Sequence, residues 1–277
     1  MDIIFTTSIL LLFISLSLSL RRLFIFKFEI SRNKYEISVS LDIGKRQLQA
    51  DAYSFQRMRD SVMAVLVDGE GDGYLGKAAA LTTARTFTKH YSHYDPIHGS
   101  QIFFDKVFKS ANRNIINVLK GNNAYAMAAC VLIDENRLSY GVAGNIRIGI
   151  YRKGDLVSIN EGQFLDVLTK DKLNDGSIGE SAAKRLSGSK KVYNFLGRDD
   201  YRYLEFNEKA IMLNKKDIVV IMTDGIYETI GFREIEEILS RGGNVGKLAE
   251  SVTSLVRSKD IKEQDNMGII LIRVLNN

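Results

Sequence analysis

The 277-residue chain has one cysteine, one proline and no tryptophan. A single thiol, Cys130, excludes an internal disulfide framework and any metal site built from several thiolates. It lies in the apolar run AMAACVLI and reads as a small core residue. Positive charge is in modest excess, at +5, and no basic block is interleaved with aromatics. That argues against a nucleic-acid surface. The three histidines, His90, His93 and His98, all fall within KHYSHYDPIH. Their spacing would allow a metal, but the run is polar, carries Pro96 and reads better as a solvated loop. No P-loop or dinucleotide glycine pattern is present, so no nucleotide-base pocket is indicated. Hydrophobic residues make up 45% and charged residues 26%, the balance of a globular chain.

One long uncharged run is present. IIFTTSILLLFISLSLSL, residues 3–20, approaches the length of a bilayer crossing. Arg21 and Arg22 follow it. The start, Met1-Asp2, lacks the basic residues of a cleaved signal, and no small-residue cleavage pattern follows. Positive charge on its C-terminal side places the rest of the chain in the cytoplasm. The expected organisation is a membrane anchor over 1–22, a connector over 23–34 and one domain over 35–277.

Within that domain apolar strands alternate with helical patterns. YEISVSLDIG (35–44) alternates like a half-buried strand. SVMAVLVDG (61–69) and DIVVIMTDG (217–225) are nearly continuous aliphatic runs, as interior strands are. Residues 126–156 read as three successive strands with DEN and GN as hairpin turns. MGIILIRV (267–274) closes the chain. Residues 74–91, 100–119 and 233–258 read as helices. In the second, Ile102, Phe103, Val107, Ile115, Ile116 and Leu119 are expected on the buried face. Residues 159–200 read as mixed helix and loop. The expected fold is α+β, with antiparallel sheets flanked by helices.

Three acids share a context. Asp68 ends one aliphatic run before Gly69, Asp224 ends another before Gly225, and Asp265 immediately precedes the last. A carboxylate at the lip of a buried strand is costly to desolvate unless paired or bound to a cation. No Lys or Arg adjoins any of the three in sequence. Converging carboxylates with a nearby carbonyl suit Mg²⁺ or Mn²⁺, and a glycine after Asp68 lets its carbonyl approach an ion. Asp-Gly is also an ordinary turn, and each pair alone could be no more than that. Asp51, with Arg46 five residues before it, is a fourth candidate. A guanidinium there would suit a phosphate.

The order of these segments resembles the metal-dependent protein serine/threonine phosphatases of type 2C, in their bacterial form. VDGEGDGYLGKAAA resembles the family's Asp-Gly-x-Gly-Gly element, LSYGVAGNIRIGIYRKGDL its Gly-Asp-Ser-Arg strand pair, and KKDIVVIMTDGIYE its Ser/Thr-Asp-Gly strand. EQDNMGIILIRV resembles the closing Asp-Asn element, and DIGKRQLQADAYSF the opening one. The likeness spans about residues 35–274. It implies two packed antiparallel sheets with two Mn²⁺ or Mg²⁺ ions in a cleft at one edge. Asp68 would bridge the ions, Gly69 would offer its carbonyl, and Asp224 and Asp265 would complete the first ion's ligands. Asp51 would hold water from behind them and Arg46 would orient the phosphate. The implied reaction is hydrolysis of phosphoserine or phosphothreonine in protein substrates of a serine/threonine kinase, at the cytoplasmic face of the membrane.

The chain departs from that pattern in places. Ala50 replaces an acid often found before the first Asp. Asn145 replaces the Asp of Gly-Asp-Ser-Arg, which leaves a third metal position in doubt. Asp72 replaces a glycine. Glu70 stands where some members carry histidine, and is a candidate proton donor or a solvent-facing turn acid. These changes keep open a second reading, a catalytically weak or inactive pseudophosphatase that binds phosphoproteins. A hydrolase of small phosphates on the same ions is a third.

Overall fold

A computed structural model describes residues 34–276 apart from 59, 97–98, 187 and 202–203. The expected anchor, nearly all of the connector, and His98 lie outside the described residues. Among those described, no helix is long and apolar enough to cross a membrane.

Two antiparallel sheets form the centre. One runs β1 (Tyr35–Asp42), β11 (Met267–Val274), β10 (Ile218–Met222), β6 (Arg147–Arg152), β7 (Asp155–Ser158) in spatial order. The other runs β2 (Ala52–Met58), β3 (Ser61–Gly71), β4 (Ala124–Asp134), β5 (Arg137–Ala143), β8 (Glu205–Phe206), with β9 (Ile211–Met212) also paired to β5. Helices α1 (Tyr74–Tyr91) and α2 (Ser100–Leu119) accompany the second sheet. The short α3 (Leu165–Asn174) and α4 (Glu180–Leu186) lie in the connection before β8, the mixed stretch expected there. Helices α5 (Asp224–Tyr227), α6 (Phe232–Ser240) and α7 (Val245–Ser258) follow β10.

The continuous aliphatic runs are explained by burial on both faces. In β3, Val62, Ala64 and Leu66 point between the sheets, where they meet Ile148, Val219, Ile221 and Ile270. Met63, Val65 and Val67 point the other way, against Ala79, Phe87, Phe104 and Phe108 of α1 and α2. In β10 and β11, Val220, Met222, Ile269 and Leu271 pack on Ile235, Ile238, Leu248 and Val252. Four layers result, helix–sheet–sheet–helix. Cys130 is buried in the layer under α1 and α2 and is a core residue, as its sequence context indicated.

Two local expectations are corrected. The segment 126–156 holds four strands, not three. DEN does turn the β4–β5 hairpin, with Glu135 and Asn136 at φ 47° and 63°. Gly144-Asn145 makes no hairpin; there the chain leaves one sheet and enters the other. Gly144 takes φ 111°, and a Cβ on it would stand 2.2 Å from Met127 Cγ. In α2 the buried face is Phe103, Phe104, Val107, Phe108, Ala111, Ile115 and Leu119, while of the residues expected there Ile116 is half-buried and Ile102 is 48% exposed.

Candidate active site

The acids expected to converge are carried to one end of the sandwich. Asp51 precedes β2 and Asp68 lies near the end of β3. Asp224 follows β10, and Asp265 precedes β11. Antiparallel pairing of β10 with β11 and of β2 with β3 sets these positions at a common edge. A cleft of about 210 Å³ opens there, lined by Arg46, Ala50, Asp68, Gly69, Glu70 and Asp265 among others.

Glycines let the segments approach. A Cβ on Gly69 would lie 2.2 Å from the carbonyl oxygen of Gly76, in the first turn of α1. A Cβ on Gly225 would lie 2.0 Å from the carbonyl oxygen of Asn266. Only bare backbone fits at either contact. Asn266 then ties the pieces together. Its Oδ1 accepts from Ala50 N at 2.7 Å and its Nδ2 donates to Ile43 O at 2.9 Å. Sequence reasoning weighed only its neighbour Asp265; an Asn in a polar stretch gives no signal that it stitches two distant segments.

Asp68 is 7% exposed, and no donor among the described residues bonds its carboxylate. Burial pushes it well above the usual carboxylate range, and Asp51, Asp224, Glu70 and Asp265 push in the same direction. Asp51 is pushed up to about 8, by burial first and then by Asp224 and Asp265, against a hydrogen bond from Thr223 Oγ1 at 3.2 Å. That hydroxyl also accepts from Gly268 N at 2.8 Å, which locks Thr223 behind the cluster. Asp224 is raised by burial and by Asp265, opposed by Asn145. Glu70 is raised by burial and by Asp265 and Asp224.

The remaining expected residues are placed differently from one another. Arg46 Nε and Nη2 donate to Asp265 Oδ1 and Oδ2 at 2.8 and 2.7 Å, a two-pronged pair at the cleft mouth. No cation adjoins the three acids in sequence, and the partner of Asp265 comes from 219 residues away in the chain. Asn145 Nδ2 donates to Asp224 Oδ2 at 2.8 Å, while its buried Oδ1 has no partner among the described residues. Tyr227, which the sequence did not single out, donates through its hydroxyl to the carbonyl oxygen of Asn145 at 2.9 Å. Asp72 and Ala50 stand beside the cleft, Asp72 exposed. His90 and His93 lie at the far end of α1, away from these acids.

Among the described residues, no three His, Cys, Asp or Glu side chains are gathered tightly enough to enclose an ion as they stand. Arg46 occupies Asp265 and Asn145 occupies Asp224. In kind, the donors fit a hard divalent cation. Every charge that raises Asp68 is negative, its carboxylate is unbonded, and the carbonyl-bearing Gly69 follows it on bare backbone. A buried cluster of this sign requires protons or cations.

No family model matches the chain, and no curated protein matches it. Solved structures do. A serine/threonine phosphatase from S. agalactiae superposes with a TM-score of 0.74 at 18% identity, covering 87% of this chain and 99% of its own. One from Staphylococcus aureus gives 0.72 at 16% identity, covering 87% and 95%. The fold is that of the bacterial serine/threonine phosphatases. The catalytic domain of the phosphatase PstP in complex with two manganese ions is similar at 0.66 and 17% identity, covering 87% and 99%. The sequence resemblance to the type 2C phosphatases is thus matched at the level of fold over nearly all of the described chain.

Proposed function

We propose that this chain is a metal-dependent phosphatase that hydrolyses phosphoserine and phosphothreonine in proteins, held at the cytoplasmic face of a membrane by residues 3–20. The observation that carries the reading is Asp68: a buried carboxylate with no donor among the described residues, near the end of a rigid strand in the cleft of this fold. Asp68, Asp224, Asp265 and the Gly69 carbonyl would hold two Mn²⁺ or Mg²⁺ ions, the complement named for PstP. When bound, such ions neutralise phosphoryl charge and lower the pKa of water.

The chain's own groups have separable tasks. Arg46 sits at the mouth, 57% exposed, and its pairing with Asp265 is of the weak, solvent-exposed kind. A phosphate dianion competes for the same fork of donors. Asp51, anchored by Thr223, would hold water at the floor of the cluster. Glu70, half-buried at the cleft with its carboxyl raised by burial and by Asp265 and Asp224, is the candidate proton donor to a departing Ser or Thr oxygen.

A second reading keeps the fold and drops turnover. It is favoured by Asn145, whose amide is bonded to Asp224 where a further carboxylate would serve an ion, and by Ala50. The test is phosphate release from a phosphothreonine peptide by the full chain in detergent, with Mn²⁺ titrated and Asp68→Ala alongside. The phosphatase reading expects Mn²⁺-dependent release that the substitution abolishes. No release at millimolar Mn²⁺ from folded protein overturns it in favour of the pseudophosphatase.

A further inference from the structure

The end of the sandwich opposite the cleft has a character of its own. Helix α1 starts beside the cleft at Gly73 and runs 18 residues, about 27 Å, away from it. β1 ends at Asp42 beside the cleft segments and therefore begins, at Tyr35, at that far end. Tyr35 Oη donates to Asn136 Oδ1 at 2.9 Å, in the β4–β5 turn, and Lys34 pairs with Asp60 at 3.3 Å, in the β2–β3 turn. The undescribed residues 1–33 thus join the domain at the end where α1 finishes and α2 begins.

A cavity of about 340 Å³ lies between those helix ends. Its apolar wall is Tyr94, Ile102 and Phe103, and its rim is Lys89, His90, His93 and Lys106, with Asp95 its one acid. A second groove, about 480 Å³, adjoins it through Lys89 and His90 and adds Arg85. Beyond its first turn, which lies at the cleft, α1 together with α2 carries five Lys and Arg (Arg85, Lys89, Lys106, Lys109, Arg113) and a single acid, Asp105. Asp105 is itself paired with Lys109 at 2.7 Å. His90 is held below its usual range by burial and by Lys89, His93, Arg113 and Lys106. This is a positively charged face with apolar side chains at its centre.

We infer that this face docks on the bilayer entered by residues 3–20, with anionic phospholipid headgroups seated among Lys89, His90, His93 and Lys106. The inference rests on the membrane-anchored part of the proposed function. Residues 21–33 are thirteen residues, which reach at most about 45 Å and hold the far end close to the bilayer. Their charge is also positive, four Arg and Lys against Glu29, so they add to the attraction for an anionic surface. The same sign disfavours the apolar LFIFKF of residues 23–28 as the occupant of the cavity. In this pose the cleft opens away from the membrane, toward soluble phosphoproteins.

The test is hydrogen exchange of the full chain in lipid nanodiscs, either all neutral phosphatidylcholine or half phosphatidylglycerol. Amides of 89–94 and 99–106 exchange at least about fivefold more slowly on the anionic discs. The slowing vanishes in about 0.5 M NaCl, where screening reaches only about 4 Å. It also vanishes in a Lys89→Glu/Lys106→Glu variant, whose hydrolysis of a soluble phosphopeptide is unchanged. Equal exchange on the two discs overturns the inference. So does slowing that survives charge reversal, which would identify residues 23–28 as the occupant. So does equal slowing by inorganic phosphate or an acidic peptide without lipid, which would identify a soluble ligand. Loss of the chain from the discs in an alkaline salt wash also overturns it. Loss of hydrolysis in the wild type with the slowing intact would instead remove the phosphatase reading and leave this one standing.

Discussion

Two buried aspartates of this chain live in opposite circumstances. Asp217, 3% exposed, precedes β10 and is bonded by Arg152 Nη2 at 2.6 Å, by Arg152 Nε at 3.1 Å and by Asn214 N at 2.7 Å. Asp68, 7% exposed, has no donor among the described residues and is surrounded by other acids. A carboxylate that serves the fold comes with its cation in the chain. A carboxylate left bare, at similar burial, has no cation in the chain to offset it, and the proposed metal ions would supply that charge. The fold bears the strain of the second because rigid strands and glycine contacts leave the acids no room to separate.

The largest effect that separates the two is on turnover. Asp68→Ala lowers phosphopeptide hydrolysis by about three orders of magnitude, the scale of losing the main charge stabilisation at a reacting phosphoryl group. Arg152→Ala leaves the rate per folded molecule unchanged. Steady-state kinetics on both, normalised to folded fraction by circular dichroism, checks the contrast.

Stability reverses the order. Arg152→Ala strands the Asp217 carboxylate and costs about 3 kcal/mol. Asp68→Asn removes a buried carboxyl that folding forces to take up a proton and, without divalent ions, stabilises the chain by about 1–2 kcal/mol at pH 7. Urea unfolding in EDTA measures both. Destabilisation by Asp68→Asn under those conditions would erase the distinction.

The acid cluster also sets a pH dependence. Asp51 in the folded chain is pushed from 3.8 to about 8, so the folded state holds a proton that the unfolded state has released. That contribution is fully present below about pH 4 and is lost as the pH rises through about 8. The metal-free chain therefore unfolds at lower urea at pH 8 than at pH 5, and divalent ions narrow the difference. The smallest effect belongs to the one exposed pair in the cleft. Arg46→Ala changes stability by less than about 1 kcal/mol, because both side chains are solvated, while raising KM for the phosphopeptide.

The interior strands were legible in the sequence because each is apolar on both faces, and Asp68, Asp224 and Asp265 because each borders such a run; the edge strands β2, β7 and β8 and the short β9 carry no such run. The crossing at Gly144-Asn145 was not, since a Gly-Asn pair signals a hairpin equally well; only the register of β5 and β6 in different sheets decides it. Nor were the Arg46–Asp265 pair, Asn266 as a tie or Tyr227 behind Asn145, all contacts between residues distant in the chain. Periodicity reports which face a residue occupies. It carries no record of which distant segment meets that face.

The measurement closest to the central claim is the thermal midpoint of the full chain with and without millimolar Mn²⁺, for the wild type and Asp68→Asn. The account predicts a rise of several degrees in the wild type and little in the variant, because ions that bind only the folded state stabilise it by mass action. An equal rise in both, or none in either, would contradict the assignment of Asp68 as the carboxylate held for a metal.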